Sequence, residues 1–503
     1  MHDAVIVGAG PVGLFLACEL GLAGCSVLVL EREPEPGTPW RTAPLGRRGL
    51  FATSIAAFDR RGLLEPLLAE AAGLPRFAGA DEPGRPRLAG HFAGIVLDAA
   101  DVDLAALPFR LPSPVPDALM TSLDTVEAAL AERAAKLGVE VRRGVAVDGL
   151  TQDGEHVVVH AGAHEYPARW AVGCDGGRSA VRRLAGFEFA GTAPQFTGYV
   201  ALATIPDADK LNPGFTLTPE GMYIRMPAAG HIGVMDFDGG AFDRSQEVTR
   251  EHLQEVLRRV SGTDMTLTEL HLASSYTDRA MQATTYRRGR VLLAGDAAHI
   301  VSPLGGQGLN TGIGDALNLG WKLAATIRGR APEGLLDTYS RERHPVGAWA
   351  LDWTRAQVAS MRPDPHAQAV QGVLRDLLGT REGTTYVFEK LSGTSVRYDL
   401  GSTRPLVGRT APAFRLEDGT SLTDLMQDGR GVVLDFSAGA GLRASAAAWE
   451  GDLRYAAGPA ENDLGFAAVL IRPDGVVAWA GERGPDRDSF ERAARRWFGD
   501  ASV

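Results

Sequence analysis

The sequence predicts an α/β protein that combines a helix-covered parallel sheet with an antiparallel-sheet unit and a separate C-terminal unit. A strand–turn–helix–strand pattern opens the chain, and a buried strand, a loop and a long helix follow one another between Val291 and Arg328. Between these two patterns, residues 192–275 form short strand-like runs typical of an antiparallel sheet. A chain of 503 residues is also too long for one ordinary core, which favours two or three domains.

The first pattern is a βαβ unit. Ala4–Val7 is a short apolar strand, Pro11–Ala23 carries apolar residues at helical spacing, and Ser26–Leu30 is a second apolar strand. The turn between the first strand and the helix reads GAGPVG over residues 8–13. This is the spacing of a dinucleotide-binding turn.

Each glycine of this turn has a separate physical role. Gly8 allows the tight turn, Gly10 lets the backbone approach a pyrophosphate, and Gly13 lets the helix pack close to the sheet. The helix start offers free N–H groups and the positive end of its dipole to the phosphates. Glu31, which ends the second strand, is placed to accept hydrogen bonds from a ribose diol. A tight turn that binds nothing is the alternative interpretation.

The next segments are less regular. Residues 75–118 are rich in proline, glycine and alanine, which predicts a loop-rich excursion. An amphipathic helix over Leu123–Leu137, a strand over Glu140–Arg142 and a polar hairpin over 151–167 are predicted to follow. Residues 173–183 then read GCDGGRSAVRR, which by itself is typical of a turn with a helix N-cap.

The middle of the chain is predicted to be an antiparallel sheet with a helix on one side. Tyr199–Ala203, Met222–Met226 and Ile232–Asp236 are the predicted strands. Apolar residues recur at helical spacing over Arg250–Val260, so this helix is expected to cover one face of the sheet.

A second ligand-binding pattern occurs where the parallel sheet resumes. Residues 289–299 read GRVLLAGDAAH, a buried strand that brings Asp296 to the edge where open α/β sheets bind ligands. A short carboxylate at that edge can bind a polyol chain. Residues 303–310 read PLGGQGLN and open a long helix, so their free N–H groups can meet the ring edge of a flavin. Taken alone, this loop is equally a helix N-cap.

The C-terminal part is predicted to be a separate unit. Helical segments continue to about Leu391, and Gly401–Pro412 is predicted to be a linker. The last unit has a buried strand over Gly431–Phe436 and a hairpin over Ala467–Val477 that turns on a Pro-Asp-Gly sequence.

Composition excludes several function classes. A net charge of −11 argues against nucleic acid or an anionic membrane as the main partner. Cys18, Cys25 and Cys174 are too few for a disulfide framework or a metal cluster, which fits a reducing cytoplasm. The N-terminus is predicted to be a strand rather than a signal peptide, and no apolar run is long enough to suggest a membrane span. A cytoplasmic protein without a metal site is expected.

The three motifs, in this order, resemble those of the group A FAD-dependent monooxygenases, which have the para-hydroxybenzoate hydroxylase-like fold. Within this family the chain is most similar to actinobacterial aromatic polyketide hydroxylases and rifampicin monooxygenases. The likeness extends over nearly the whole chain, through residues 318–323, 342–345, 354–357 and 470–479.

The resemblance implies FAD as the cofactor and NADPH or NADH as the reductant. A flavin C4a-hydroperoxide formed with O2, rather than a side chain, is then the oxidant for an electron-rich aromatic carbon, and the protein supplies position, polarity and water exclusion. The expected substrate is a bulky aromatic polyketide bound between the flavin ring and the 192–275 sheet, and the expected oligomeric state is a monomer or a homodimer. The residues expected to bind FAD are Gly8, Gly10, Pro11, Val12, Gly13, Glu31, Arg32, Arg41, Asp175, Gly295, Asp296, Pro303, Gly306, Gly308, Leu309 and Asn310.

The resemblance also implies a domain organisation. The expected domains are a discontinuous Rossmann-like FAD-binding domain (1–75, 119–185 and 276–390), an antiparallel-sheet substrate-binding domain (76–118 and 186–275) and a thioredoxin-like C-terminal domain (401–503). The last domain carries Ser-Ala-Gly-Ala at 437–440 where a working thioredoxin needs Cys-x-x-Cys. We therefore expect it to have a packing or oligomerisation role and no redox activity.

Three positions depart from the family pattern. Thr53 and Met281 stand where relatives have arginine, and Leu123 stands where relatives have a glutamine near the ribityl chain of the flavin. These departures concern flavin positioning and substrate class rather than FAD binding itself. The cations that could compensate are Arg41, Arg47 and Arg48.

The catalytic side chains are not determined by the sequence. Activation of a phenol ring needs a base, and no single residue stands out among the candidates in the substrate sheet. These candidates are Tyr223, His231, Asp236 and Asp238. For His299, which follows the Gly-Asp motif, a role in bracing the loop is favoured over a role as a base.

Other functions stay open at this point. The same fold can run a Baeyer–Villiger insertion or oxidise an antibiotic to inactivate it. A catalytically inert flavin-binding accessory protein is a further alternative, although the intact glycines and Asp296 speak against it. A dehydrogenase that binds NAD as its main cofactor would share the N-terminal turn but has no need of residues 296–308.

Overall fold

A computed structural model describes residues 1–73, 88–438, 440–482 and 487–500. The part of the predicted excursion before residue 88 therefore lies outside the described residues. The strands are β1 His2–Val7, β2 Val27–Glu31, β3 Arg47–Phe51, β4 Leu88–Phe92, β5 Ile95–Asp98, β6 Ala118–Ser122, β7 Glu140–Arg143, β8 Gly149–Gln152, β9 Val157–Ala161, β10 His164–Gly173, β11 Phe189–Thr192, β12 Thr197–Thr204, β13 Gly214–Thr218, β14 Gly221–Arg225, β15 His231–Asp236, β16 Glu269–Thr277, β17 Ala280–Ala283, β18 Arg287–Arg288, β19 Val291–Leu293, β20 His299–Ile300, β21 Gly431–Asp435, β22 Leu453–Ala457, β23 Ala468–Ile471 and β24 Val477–Gly481. The α-helices are α1 Pro11–Leu22, α2 Ala52–Asp59, α3 Glu65–Gly73, α4 Leu123–Lys136, α5 Ala180–Leu184, α6 Arg250–Ser261, α7 Gln307–Ile327, α8 Thr338–Met361, α9 Pro365–Leu378, α10 Arg381–Ser392, α11 Leu422–Leu425, α12 Ala440–Ala446 and α13 Arg487–Phe498.

The largest sheet has the order β18-β19-β10-β1-β2-β7, with β9 and β8 added beside β10. β1 pairs in parallel with β2 and β10, and β10 pairs in parallel with β19. In this register Val7 lies beside Leu30 and Gly173, and Gly173 lies beside Leu293. Parallel pairing therefore brings the turns after β1, β2, β10 and β19 to one edge of the sheet.

Helices cover this sheet because its inner strands are apolar on both faces. α1 packs against α4 and α7. The contact between α1 and α7 is very close, since a Cβ at Gly320 would lie 2.5 Å from the Cβ of Glu19. Helix α7 therefore needs a glycine at this position to lie against the first helix.

The second sheet is antiparallel, with the order β13-β14-β15-β12-β16. Alternate residues along its strands face opposite sides. Tyr199, Ile232 and Val234 pack against α6, whereas Met222 and Met235 belong to a separate cluster with β4, β5 and helices α8–α10. The predicted strands and covering helix of this segment are confirmed, and α6 ends at a glycine with positive φ.

Several small elements were not predicted. β3 pairs with β6, β4 with β5, and β17 lies between β11 and β20. The partners in the first and third cases are distant in sequence, and the strands are short and partly polar. Such strands form because of the pairing that tertiary packing provides, so local patterns do not reveal them.

The C-terminal sheet has the order β22-β21-β23-β24, with β21 and β22 parallel and the other pairs antiparallel. The buried strand and the Pro-Asp-Gly hairpin are confirmed. The linker prediction for Gly401–Pro412 is corrected, because Leu406 and Val407 are buried in the core of this sheet. Hydrogen bonds from Gly408 N to Val477 O, and from Ala411 N to Gly475 O, both 2.8 Å long, hold the segment there.

No helix among the described residues is both long enough and apolar enough to cross a membrane.

Candidate functional site

A cavity of about 710 Å³ lies at the edge of the parallel sheet where the turns after β1, β2, β10 and β19 meet the start of α7. Most of the predicted cofactor-binding residues line it. These are Gly8, Gly10, Pro11, Val12, Glu31, Arg32, Arg41, Asp175, Asp296, Pro303, Gly306, Gly308 and Leu309. The cavity is therefore built from all three sequence motifs at once.

The glycine turn after β1 is closed on one side and open on the other. A Cβ at Gly8 would lie 2.4 Å from the carbonyl oxygen of Cys174, and a Cβ at Gly13 would lie 2.0 Å from the oxygen of Gly8. Nothing lies within 4 Å of the same position at Gly10. Gly10 thus leaves the backbone at the start of α1 open to the cavity, as an approaching pyrophosphate requires.

Glu31 is buried and has two backbone partners. Its Oε2 accepts a hydrogen bond of 2.7 Å from Ala9 N, and its Oε1 accepts one of 3.0 Å from Glu33 N. Each carboxylate oxygen keeps a second acceptor site, so a ribose hydroxyl can still be bound. The neighbouring Arg32 is exposed and pairs with Glu33.

Asp296 projects into the cavity. Its carboxylate accepts no hydrogen bond from the part of the chain that the structure describes, and a Cβ at Gly308 would lie 3.8 Å from its Oδ1. The side chain of Asp296 is exposed in the cavity; desolvation by the cavity walls raises its pKa, although the charges of His299 and Arg48 oppose this effect. A cavity-facing carboxylate without a partner can accept hydrogen bonds from a polyol chain.

Asp175 and Arg41 support the walls of the cavity. Asp175 Oδ2 accepts hydrogen bonds from Ala180 N (2.6 Å) and Val181 N (3.2 Å), while its Oδ1 is buried without a partner among the described residues. Arg41 Nη1 donates a 2.8 Å hydrogen bond to Glu127 Oε2. The unsatisfied Asp175 oxygen and the open Gly10 turn fit the presence of a bound dinucleotide.

Three predicted residues do not line the cavity. Gly13 packs against Gly8, and Gly295, with φ of +61°, packs against Val12. Asn310 accepts a hydrogen bond from Phe51 N and donates to the oxygens of Gly49 and Gly306, each 2.9 Å long. It therefore holds β3 against the glycine loop.

Of the three departures from the family pattern, Leu123 alone lines the cavity. Thr53 lies against the end of α10, since a Cβ at Gly393 would be 2.5 Å from its Oγ1. Met281 lies in β17, between Gly191 and Ile300 of the neighbouring strands. The side chains at 53 and 281 therefore take part in packing.

Arg48 lines the cavity, as does Arg41, whereas Arg47, the third cation that the sequence named as a possible compensating residue, does not. Arg48 Nη1 donates to the carbonyl oxygens of Leu45 and Arg47, and no carboxylate of the described chain lies within ion-pair distance. The side chain of Arg48 is exposed in the cavity; desolvation by the cavity walls lowers its pKa, whereas the nearby Tyr276 and Asp296 raise it. Arg48 thus lies within electrostatic reach of both the cofactor cavity and the antiparallel sheet.

The four candidate bases have different surroundings. Tyr223 faces α6, and its hydroxyl accepts a hydrogen bond from Asn212 N. Asp236 pairs with Arg259, and Asp238 accepts hydrogen bonds from Thr197 and Gly240. The remaining candidate is His231.

The imidazole of His231 is buried, and its Nδ1 has no partner among the described residues. Burial, with added repulsion from Arg47 and Arg48, lowers the pKa of His231 to about 4. The ring is therefore neutral near pH 7 and has a free nitrogen.

His299 is confirmed as a bracing residue by its contacts. Its Nε2 forms a 2.6 Å hydrogen bond with Asp315 Oδ2, and the imidazole is fully buried. The ring lies behind the turn that carries Asp296 and does not line the cavity.

Two protein families together match most of the chain. Residues 1–354 match the family described as FAD binding domain, and residues 404–501 match the C-terminal region of aromatic-ring hydroxylases. The chain is 44% identical over 498 residues to a protein from Claviceps purpurea (strain 20.1) named as a monooxygenase, covering 99% of this chain and 97% of that one. It is 39% identical to a rifampicin monooxygenase from Streptomyces venezuelae, covering 100% of each.

Among solved structures, the chain is similar to the anhydrotetracycline hydroxylase from Streptomyces rimosus. The TM-score is 0.84 at 36% sequence identity, and the match covers 100% of both chains. The similarity therefore extends to the antiparallel sheet and the C-terminal unit as well as to the cofactor cavity.

Proposed function

Because the chain belongs to the FAD binding domain family, we propose that it is a flavin-dependent monooxygenase that adds one oxygen atom to an aromatic polyketide. The observation that carries this proposal is the convergence of three motifs on one cavity, with Arg48 in electrostatic reach of Asp296 and of Tyr276 in the antiparallel sheet. The relatives support the substrate class, since their names specify rifampicin and anhydrotetracycline.

The chain's own residues account for the binding of FAD along its length. Free amides at the start of α1 bind the pyrophosphate beside Gly10, and Glu31 accepts a hydrogen bond from the ribose. Asp296 would accept hydrogen bonds from the ribityl hydroxyls, and the free amides of residues 307–309 at the start of α7 would meet the ring. When bound, FAD supplies the redox chemistry that activates O2, and NADPH or NADH supplies the electrons.

The substrate is proposed to lie on the face of the antiparallel sheet that is turned away from α6. The strand register places Gly198, Val200 and Leu202 of β12 on that face, beside Met235, Gly233 and His231 of β15. Val200, Leu202 and Gly233 are partly exposed there, and the ring of Tyr276 lies over Gly198. This face therefore offers apolar side chains and an aromatic ring against which a planar polycyclic substrate can lie. Of the four candidate bases, His231 has a ring nitrogen without a partner among the described residues.

The domain division stays part of this proposal. A Rossmann-like FAD-binding domain (1–75, 119–185 and 276–390) contains the parallel sheet, and the substrate-binding domain (76–118 and 186–275) contains the antiparallel one. A thioredoxin-like domain (401–503) is supported by the strand order β22-β21-β23-β24. Within its described residues no cysteine is present, so a packing role is proposed for it.

The proposal is tested by loading the purified protein with FAD and supplying NADPH, O2 and either anhydrotetracycline or rifampicin. We expect a yellow protein whose NADPH consumption rises with one of these compounds, and a product one oxygen atom heavier, with the label derived from isotopically labelled O2. The position of the new oxygen separates ring hydroxylation from insertion into a carbon–carbon bond. A protein that binds no FAD would contradict the proposal.

A matched pair of variants tests the role of the site itself. Asp296→Asn is expected to weaken FAD binding, whereas Asp209→Asn, which changes an exposed carboxylate, leaves it unchanged. Equal FAD affinity in the two variants would show that Asp296 does not contribute to FAD binding.

A further inference from the structure

Three of the segments that carry the family resemblance meet in a buried contact. They are residues 318–323 on α7, residues 342–345 on α8 and residues 470–479 in the C-terminal unit. Arg472 donates hydrogen bonds of 2.9 and 2.8 Å to the two carboxylate oxygens of Glu342, and Lys322 Nζ lies 2.8 Å from the same carboxylate. Arg472 and Lys322 are both fully buried. The C-terminal unit is therefore joined to α7 and α8 by ion pairs that water does not screen.

The residue after Glu342 extends this contact toward the cofactor cavity. Arg343 Nη1 donates a 2.9 Å hydrogen bond to the hydroxyl oxygen of Tyr398, which lies just before residues 401–503 and packs into the core of the C-terminal unit. Its Nε donates a 2.7 Å hydrogen bond to Asp315 Oδ1. The guanidinium lies against Gly314, where a Cβ would be 2.8 Å from Nη2. Arg343 thus bridges the C-terminal unit and Asp315.

Asp315 in turn holds the turn that carries Asp296. Its Oδ2 accepts hydrogen bonds from Gly295 N (3.0 Å) and His299 Nε2 (2.6 Å), which lie on either side of Asp296 in the chain. The Asp315 side chain is fully buried. Hydrogen bonds to Arg343 and His299, together with their charges, hold its pKa below the ordinary value despite this burial. Asp315 is therefore ionised, and both of its carboxylate oxygens accept hydrogen bonds.

We propose that Asp315 is a positioning residue for Asp296, and that the C-terminal unit fixes Asp315 through Tyr398 and Arg343. The inference rests on the proposed binding of FAD by Asp296. It gives the C-terminal unit a role in cofactor affinity, although none of the residues that line the cavity belongs to that unit. The physical reason is that a buried carboxylate with three fixed donors has one orientation, which the backbone at Gly295 must follow.

The test compares two tyrosine variants of the full-length protein. Tyr398→Phe keeps the ring but removes the hydroxyl that accepts from Arg343, and the matched control is Tyr455→Phe. In the control, the lost hydroxyl donates a 2.7 Å hydrogen bond to Asp435 within the C-terminal unit, and Tyr455 does not line the cavity. The measurements are the FAD dissociation constant, the absorption spectrum of the bound flavin, and the melting temperature of the apo-protein.

We expect Tyr398→Phe to raise the FAD dissociation constant roughly tenfold, the effect of one hydrogen bond to a charged group, and to alter the flavin spectrum. Asp315→Asn should have a larger effect of the same kind, whereas Tyr455→Phe should leave both properties unchanged. Parent-like affinity and spectrum in Tyr398→Phe would overturn the inference. So would an equal loss of affinity in both tyrosine variants, because that would be a general stability effect. Failure of the parent protein to bind FAD would overturn the proposed function as well, so the two failures are distinguishable.

Discussion

Gly8 and Cys174 are in contact through backbone alone, since the Cβ that Gly8 lacks would lie 2.4 Å from the carbonyl oxygen of Cys174. Gly8 also has φ of +107°, a conformation that residues with a side chain rarely adopt. The contact joins the first glycine turn to the Asp-Gly motif, so both strands must keep their register for the cavity to form.

This contact predicts different effects for two alanine substitutions in the same turn. Gly8→Ala should destabilise the protein by about 2 kcal/mol or more, because it combines a steric clash with an unfavourable backbone conformation. Gly10→Ala should leave stability nearly unchanged, because Gly10 has φ of −76° and open space around its Cβ position. Urea denaturation of both apo-proteins measures this difference.

Gly10→Ala should nevertheless bind FAD less tightly than the parent, because its methyl group projects into the space proposed for the pyrophosphate. FAD titration followed by fluorescence measures the change. A Gly10→Ala protein with unchanged affinity would place the pyrophosphate elsewhere.

Asp296→Asn should weaken FAD binding and leave the stability of the apo-protein nearly unchanged. The side chain of Asp296 is exposed in the cavity, so its carboxylate stays hydrated in the apo-protein. Substitutions at such exposed positions usually change the free energy of unfolding by no more than about 0.5 kcal/mol. Calorimetry of the apo-protein at pH 7 measures the melting temperature, and a change of many degrees in the variant would contradict the prediction.

Arg472→Met should cost about 3–5 kcal/mol of stability, because it leaves the buried Glu342 with one cation fewer. The control is Arg404→Met, which removes an ion pair with Glu482 on the surface and should cost less than about 1 kcal/mol. Urea denaturation of the FAD-loaded proteins compares the two. A similar cost in both variants would mean that the buried contact adds little to docking of the C-terminal unit.

His231→Gln should change how stability depends on pH. Burial lowers the pKa of His231 to about 4, so the folded protein binds fewer protons at this site than the unfolded chain between about pH 6.5 and 4. Stability from this group is present above pH 6.5 and is lost as the pH falls through that window. The parent should therefore lose up to roughly 3 kcal/mol more than the variant on acidification. Denaturation curves at pH 7 and pH 4.5 measure the difference. An equal loss of stability in the parent and the variant would show that the imidazole is already solvated.

The sequence alone determined the order of strands, turns and helices around the cavity. The glycine turn, the Asp-Gly turn and the strand that delivers Asp296 are local structures, because backbone conformation and strand ends depend on neighbouring residues. Parallel pairing then brings their carboxyl ends together, so the position of the site could be predicted from these elements. The resemblance to a flavoprotein family rested on the same residues.

Only the tertiary structure decided which other side chains reach the cavity and which brace it. Arg48 and Leu123 line the cavity, whereas Thr53, Met281 and Asn310 are used in packing between segments that are distant in the chain. Asp315 and Tyr398 became relevant in the same way. Contacts of this kind depend on how helices and strands from remote parts of the chain approach one another, and no local pattern of residue types encodes that geometry.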